Sequence, residues 1–378
     1  MAARSTRKHS LGKPALPSSL RRRRGQDVTI LDIAKCLDIS HTTVSRAIAG
    51  HEHISEETKR RVKQAVKQMG YVPNASARTM RGQRSSVVGL IIPDVQNDFY
   101  ATVAKIVADN LAAHAMQLML SVTEDDPDRE LRELRALLEA RPAGVIIVPT
   151  ASPKPQMIAM LRDLKSVQLV RTHAKITTNA VLIDDRAGTY AAARHLLACG
   201  HRRIAYIGGT TELSTGRERL AGFQAALADA KITSSNIALG PPRPDFARTS
   251  ISMTMAMAPS SRPTALVLGS AELTLGALQG LRAANIDWPR DISLVGYHDP
   301  AWFELVGSGI TTVRLPVQDV AQTATRVLLS ELNSERANGG HAKEHTTIRL
   351  SPSLMLRGST AALTEEQAGP MGRMAQST

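Results

Sequence analysis

From Val87 onward the chain alternates short, uninterrupted apolar runs with amphipathic stretches, and this rhythm constrains the fold more than any other feature of its 378 residues. Val87–Ile92, Leu118–Val122, Val145–Val148, Val167–Val170, Ile204–Ile207, Ala265–Leu268 and Ile292–Val295 read as strands buried on both faces. Helical patterns lie between most of them, near 99–114, 126–140, 187–199, 217–230 and 272–284. Such an order gives an α/β fold of parallel sheets with right-handed crossovers. Roughly 270 residues of it exceed one core, so two sheets and two lobes are expected. Ligands of open α/β sheets bind beyond the carboxyl ends of strands, which directs attention to the loops opening at Pro93, Pro149, Gly208, Gly269 and Gly296.

Charge is distributed very unevenly. The whole chain carries 47 Lys+Arg against 34 Asp+Glu, but residues 1–82 alone hold 17 against 6. A basic module on a near-neutral body is the electrostatic footprint of a nucleic-acid-binding protein. A basic solubility tail would explain Arg21–Arg24 by itself, and residues 1–26, with eight bases and no acid, read as a disordered arm. The remaining excess falls in a segment with strong helical patterning. No apolar run is long enough to span a membrane and no secretory signal is read. Cys36 and Cys199 are too few for a disulfide framework. A reducing, cytoplasmic setting is expected.

Residues 29–49 read as two short helices around a tight turn. Ile30, Ile33, Ala34 and Leu37 form the apolar face of the first, and Val44, Ala47 and Ile48 that of the second. Asp38-Ile39-Ser40 interrupts them, with Ser40 suited to cap the second helix. A third helix starts near Ser55, carries Val62, Ala65, Val66 and Met69 on one stripe, and stops at Gly70. This is a helix-turn-helix pattern. The polar side of the second helix presents His41, Thr42, Ser45 and Arg46, and Arg46 can bind guanine bidentately in a major groove. From pattern alone, an ordinary three-helix bundle with a solvated charged face remains open.

A resemblance bears on that choice. Val28-Thr29-Ile30-x-Asp32-Ile33-Ala34, Ser40-x-x-Thr43-Val44-Ser45-Arg46, Ile54-Ser55-x-x-Thr58 and Gly70-Tyr71-x-Pro73-Asn74-x-x-Ala77-Arg78 resemble the LacI/GalR family of bacterial repressors. The resemblance implies a DNA-binding set of Thr29, Ser40, His41, Thr42, Thr43, Ser45, Arg46, Tyr71, Asn74, Ala77, Arg78 and Met80. It implies also that Pro73 to Met80 is a hinge helix, formed on operator DNA beside its twin, with Met80 where the family commonly wedges Leu into the minor groove. Asp38 stands where the family usually has Gly in the turn. Asp tolerates left-handed geometry, so the turn is expected to survive.

The body resembles the family's effector domain, which shares its fold with periplasmic sugar-binding proteins. The matching motifs are Gly89-Leu90-Ile91-Ile92-Pro93-Asp94-x-x-Asn97-x-Phe99-Tyr100, Gly200-His201-Arg202-Arg203-Ile204-Ala205, Arg219-Leu220-Ala221-Gly222-Phe223, Asp291-Ile292-Ser293-Leu294-Val295-Gly296-Tyr297 and Thr311-Thr312-Val313-Arg314-Leu315-Pro316. They imply an effector site containing Asp94, Phe99, Arg219, Phe246, Ser270 and His298. Two sugar-reading positions depart from the family: His298 replaces a common Asp, and Ser270-Ala271 replaces Asn-Asp. Arg217, Arg219, Arg248 and His298 would make the cleft rich in donors, which suits a small acid such as a sugar acid or phosphorylated sugar.

The expected organisation is an arm over 1–26, a head over 27–72, a hinge over 73–85, a two-lobed core over 86–357 and a flexible tail over 358–378. The first lobe is expected over 86–185 and 314–340, the second over 186–313 and 341–357. No phosphate-binding loop, nucleophile elbow or metal-spaced histidine cluster stands out, so neither enzyme nor cofactor is expected. The expected partners are a pseudo-palindromic DNA duplex, a small effector and a second copy of the chain, because the tail lacks the leucine heptads of a tetramerising coiled coil. A solute-binding protein of the periplasmic type would share the body but have no use for the head. If Met80 is the wedge, Met80→Ala will weaken binding to a specific site much more than binding to random duplex. Equal losses in a gel-shift comparison would refute it.

Overall fold

Capping decides where the first helices begin and end. The computed structural model describes residues 28–71, 85–233, 235–334 and 345–363. The arm, the hinge with Asn74, Ala77, Arg78 and Met80, and the end of the tail lie outside the described residues. Helix α1 (Ile30–Leu37) starts at Thr29, whose N–H donates to the Asp32 carboxylate at 2.9 Å while its hydroxyl oxygen accepts from the Asp32 N–H. It ends at Asp38 with φ 52°, so the turn survives without glycine. Ser40 caps α2 (His41–Ile48) by accepting from the Thr43 N–H at 3.0 Å, and Ser55 caps α3 (Glu56–Met69) in the same way. Ile33, Val44 and Val62 meet in a fully buried centre.

The chain divides into two compact units, one ending at Gln83 and one beginning at Arg84. In the second unit, β1 (Val87–Ile92), β2 (Gln117–Val122), β3 (Gly144–Ile147), β4 (Ser166–Leu169) and β5 (Asn179–Ile183) build the first sheet, with α4 (Asp98–Ala112), α5 (Pro127–Glu139) and α6 (Pro155–Arg162) between them. The second sheet is built from β6 (Ile204–Gly209), β7 (Asn236–Gly240), β8 (Ala265–Leu268), β9 (Ser293–Tyr297) and β10 (Thr312–Arg314). Its helices are α7 (Asp185–Ala198), α8 (Ser214–Asp229), α9 (Pro244–Met255) and α10 (Ala271–Ala283). Helix α11 (Val317–Ser334) returns to pack on α4 and on β3 to β5. Two last strands, β11 (Thr347–Leu350) and β12 (Ser353–Met355), complete the sheets. Their orders are β11-β5-β4-β3-β1-β2 and β12-β10-β9-β8-β6-β7, and the described pairings are parallel except β12 against β10. Val88, Leu90 and Ile92 on β1, like Val145, Ile146 and Ile147 on β3, are buried, as expected of strands covered on both faces.

Two expectations are corrected. Residues 341–357 are expected in the second lobe, yet β11 joins the first sheet, pairing Thr347 with Ala180 and Leu350 with Ile183. The backbone edge of β5 takes it up, and only after Pro352 does the chain enter the second sheet as β12. The tail is expected to be loose from 358, yet residues 358–363 are tied down. Ser359 is fully buried, its hydroxyl donating to the Leu294 carbonyl and accepting from the Thr311 N–H. The Leu363 N–H donates to the Cys199 carbonyl.

The chain thus crosses between lobes at Asp184, at Leu315–Pro316 and at Ser351–Pro352, and the first and third run side by side, the Asp184 N–H donating to the Leu350 carbonyl at 2.9 Å. Gly188 marks the tightest point: a Cβ there would lie 2.9 Å from Pro352 Cγ and Val313 Cγ1, and 3.3 Å from the Tyr297 hydroxyl. Gly188→Ala gains roughly 1 kcal/mol of helix propensity but overpacks the bundle at a cost of about 1–3 kcal/mol. A net fall in melting temperature is expected by calorimetry, and a rise would show that the crossings have slack.

Candidate nucleic-acid interface and ligand cleft

The head separates residues that build its fold from residues left outside. Val44 and Ala47 are buried on α2, while His41, Thr42 and Arg46 on its other side are exposed. Among the other candidates, Thr29, Ser40 and Thr43 are engaged in the caps described above, Ser45 is half-buried, and Tyr71 packs on the helical core. The three exposed side chains form a short polar face with one guanidinium. The loop after α2 adds His51 and His53, whose rings stack 6.0 Å apart.

In the second unit, the strand ends converge on a cavity of about 100 Å³ between the lobes. Its centre is a buried ionic cluster. Asp185, at the first position of α7 and 1% exposed, accepts from Arg219 Nε at 2.8 Å and from the Tyr297 hydroxyl. The Arg219 guanidinium lies 4.1 Å above the Tyr297 ring and donates through Nη1 to the Gly269 carbonyl at 2.7 Å. Burial pushes the Asp185 carboxyl up from its ordinary value, and the adjacent guanidinium and hydroxyl pull it back. Burial likewise pushes the Tyr297 hydroxyl well up, keeping it a donor.

Around this centre, Phe99, Ser270 and His298 line the cavity, Ser270 also capping α10 through the Leu273 N–H. Two expected members stand elsewhere. Asp94 is exposed and accepts from the Gln96 N–H in a turn, while Phe246 covers Gly240 in the second-lobe core. Of the other expected arginines, Arg248 pairs with Asp245 on exposed surface, and Arg217 donates to the Thr211 and Glu212 carbonyls beside a neighbouring cavity.

Residue-by-residue reading misses Asn97, Tyr100, Arg171, Asp185, Glu272 and Tyr297 as cleft groups. Arg171 lies just beyond β4, so the rule of strand carboxyl ends could have found it. It is buried and paired with Asp125. Asp185 follows Asp184, which caps α7 by accepting from the Ala187 N–H at 2.9 Å. Contacts also cross the cleft: Asn97 Nδ2 donates to Glu272 at 2.8 Å, the Thr172 N–H donates to Ser214 at 3.0 Å, and Arg349 makes two bonds of 2.9 Å to Glu218. Burial pushes the Glu272 carboxyl up.

Among the described residues no group of His, Cys, Asp and Glu could hold a metal ion, and no helix is long and apolar enough to cross a membrane.

Known proteins match both units. Residues 29–74 match the family described as bacterial regulatory proteins, lacI family, and residues 193–360 match a periplasmic binding protein-like domain. The transcriptional repressor PurR of Escherichia coli O1:K1 / APEC is 30% identical over 339 residues, 88% of this chain and 97% of that protein. The transcriptional regulator DegA of Bacillus subtilis is 28% identical over 346 residues, 89% of this chain and 98% of that protein. Among solved structures, the lac repressor dimer bound to operator and the anti-inducer ONPF superposes with a TM-score of 0.76 at 23% identity, covering 89% of this chain and 100% of that one.

The buried pair makes a pH-dependent prediction. Arg219→Met leaves Asp185 without its cation, which costs about 3–5 kcal/mol at neutral pH. It also lifts the Asp185 carboxyl further above its unfolded value, and the stability of such a group is present at low pH and lost as pH rises through the folded value. Urea unfolding should therefore show a deficit against wild type that shrinks as pH falls toward the ordinary 3.8 of the carboxyl. A deficit independent of pH would mean that Asp185 is not the group left exposed to the loss.

Proposed function

This chain belongs to the LacI family of bacterial transcriptional regulators, and we propose that it acts as a homodimeric repressor whose hold on a pseudo-palindromic operator is switched by a small acidic metabolite. The observation that carries the DNA half is α2, with its apolar side buried in the head and His41, Thr42 and Arg46 left outside. A helix so divided can lie in a major groove, Arg46 reading guanine while the Ser40 cap fixes where the helix begins. Asn74, Ala77, Arg78 and Met80 would add minor-groove contacts through the hinge. Family membership supports a regulator over the rival solute-binding protein, because that rival needs no such head.

Exposed apolar residues support the dimer. Met119 and Leu120 stand on β2 and Leu239 on β7, the last strands of the two sheets, with Met253, Leu275 and Leu305 exposed on the second lobe. Apolar residues along open strand edges favour pairing with another chain. A symmetric pair would present two reading helices to two half-sites.

The effector class is argued from the chemistry of the cleft. Arg171 and Arg219 supply cationic donors, but each already carries a carboxylate, so a ligand acid would share them rather than fill an empty basic hole. Glu272 is an acceptor suited to a hydroxyl. One acidic group together with hydroxyls, as in a sugar acid or a phosphorylated sugar, meets both demands. Such a ligand bridging Asn97 and Phe99 of one lobe to Arg219 and Glu272 of the other would change the preferred lobe arrangement, and through it the hinges.

Selection of bound duplexes from a random library, with and without gluconate, tests the whole reading. A two-fold symmetric site whose enrichment gluconate changes is the expected result. Arg46→Ala should lose about 1–3 kcal/mol at that site and relax base preference at one position per half-site. Unchanged preference would remove α2 from the groove.

A further inference from the structure

Helix α2 is closed at its far end by a Schellman turn. Ala49 is its C-cap, the Gly50 N–H donates to the Ala47 carbonyl at 3.2 Å, and the His51 N–H donates to the Arg46 carbonyl at 3.0 Å. Gly50 takes φ 73°, the left-handed conformation that this turn requires. His51 is thus bonded to the backbone of Arg46, and its own carbonyl accepts from the Ile54 N–H at 3.2 Å. Ile54 packs against the helical core of the head, so the turn is fixed at both ends.

Two imidazoles stand on it. His51 and His53 are both exposed, with ring centroids 6.0 Å apart and planes 29° from parallel. Among the described residues neither ring has a hydrogen-bond or ion-pair partner. The charged groups on the surrounding elements are Arg46 on α2, Glu52 between the two histidines, and Glu56, Glu57 and Lys59 on α3, Lys59 holding Glu56 at 2.8 Å. The eight residues of α2 span about 12 Å, about the width of a major groove. A chain that enters the groove at His41 therefore leaves it beside the bordering phosphates, where the turn begins.

We propose that His51 and His53 form a proton-dependent phosphate clamp beside the reading helix, so that the head takes up protons as it binds DNA. The proposal rests on the reading of α2 as the groove helix. Imidazole gains its charge as pH falls from about 8 to about 5. Two imidazolium rings side by side repel each other, and a phosphate oxygen accepting from both offsets that repulsion. The carbonyl end of α2, negative through the helix dipole, favours cations at the same place. Lysine or arginine there would hold phosphate at every pH, whereas a pair of histidines makes the hold conditional on protons. Contacts to phosphate carry no base information, so the clamp acts on any duplex and leaves sequence choice to Arg46 and its neighbours on α2.

Fluorescence anisotropy of the full-length protein on a labelled random-sequence duplex, from about pH 8 down to about pH 6, tests this. Wild-type affinity should rise about tenfold or more over that span, as proton uptake on binding requires. The double substitution His51→Gln with His53→Gln should remove most of the rise, match the wild type at the alkaline end and leave the thermal melt unchanged. His51→Lys with His53→Lys should bind at the alkaline end as tightly as the wild type does at the acid end. At the acid end, log affinity should fall with log salt more steeply in the wild type than in the glutamine variant, by about one to two, and at the alkaline end the slopes should coincide. A rise that survives in the glutamine variant, or a loss of equal size at both ends, overturns the clamp and leaves the groove helix standing. Failure of the wild type to bind duplex at any pH removes the reading of α2 itself, and the clamp with it.

Discussion

The ion pair between Asp185 and Arg219, closed over by Tyr297, is the interaction on which the body of this protein depends. It joins the first turn of α7, just past one interlobe crossing, to α8 and to the end of β9. Buried charges are tolerated only when paired and hydrogen-bonded, and here one carboxylate oxygen accepts from two donors while the guanidinium reaches the Gly269 carbonyl and rests on an aromatic face. The same group that lines the cleft is therefore also a structural fastener. A ligand atom placed beside Arg219 acts on the fastener directly, so the cleft has no need of a separate relay between binding and lobe geometry.

The bonds that cross the cleft define what a ligand has to compete with. Asn97 with Glu272, Thr172 with Ser214, and Arg349 with Glu218 hold the lobes together through the protein's own groups. Two of the three are hydrogen bonds near the cavity and the third is a partly exposed bidentate pair, each worth on the order of 1 kcal/mol. Their sum is of the size that a modest differential affinity can reverse. In the proposed repressor, the switch is set by how a metabolite redistributes these contacts, and not by the total strength with which it is held.

What could be read from the residues, and what could not, depends on the physics of each element. Strands buried on both faces announced themselves because burial demands unbroken apolar runs, as in Val87–Ile92. Strands β10, β11 and β12 are only three or four residues long, and Thr347–Leu350 and Ser353–Met355 are half exposed, so neither length nor hydrophobicity marks them. Helix α9 escaped for another reason: Thr249, Ser250 and Thr254 are poor helix formers, and their hydroxyls turn back onto carbonyls one turn earlier. In the cleft, Phe99, Arg219, Ser270 and His298 were reachable through motif resemblance, because Phe99, Ser270 and His298 sit at strand or helix ends and Arg219 lies in the second turn of α8, positions whose spacing is fixed. Asp185 and Arg171 were not, since a carboxylate or guanidinium becomes a cleft group only through partners distant in the chain, Arg219 and Asp125. Asp94 and Phe246 show the converse. A residue can match a motif and still be occupied by a turn or a core of its own.

The late crossing from β11 to β12 has a consequence for biosynthesis. Each lobe receives one of its strands from the stretch 347–355, and Ser359 then fastens that stretch to β9 and β10. A ribosome will have released some three hundred and forty residues before either sheet can be closed on that side. The lobes therefore cannot mature one after the other as separate domains commonly do. Both must wait, with an open edge on β5 and on β10, for the same short piece of nascent chain, so premature termination anywhere ahead of that piece leaves two unfinished lobes in place of one finished and one missing.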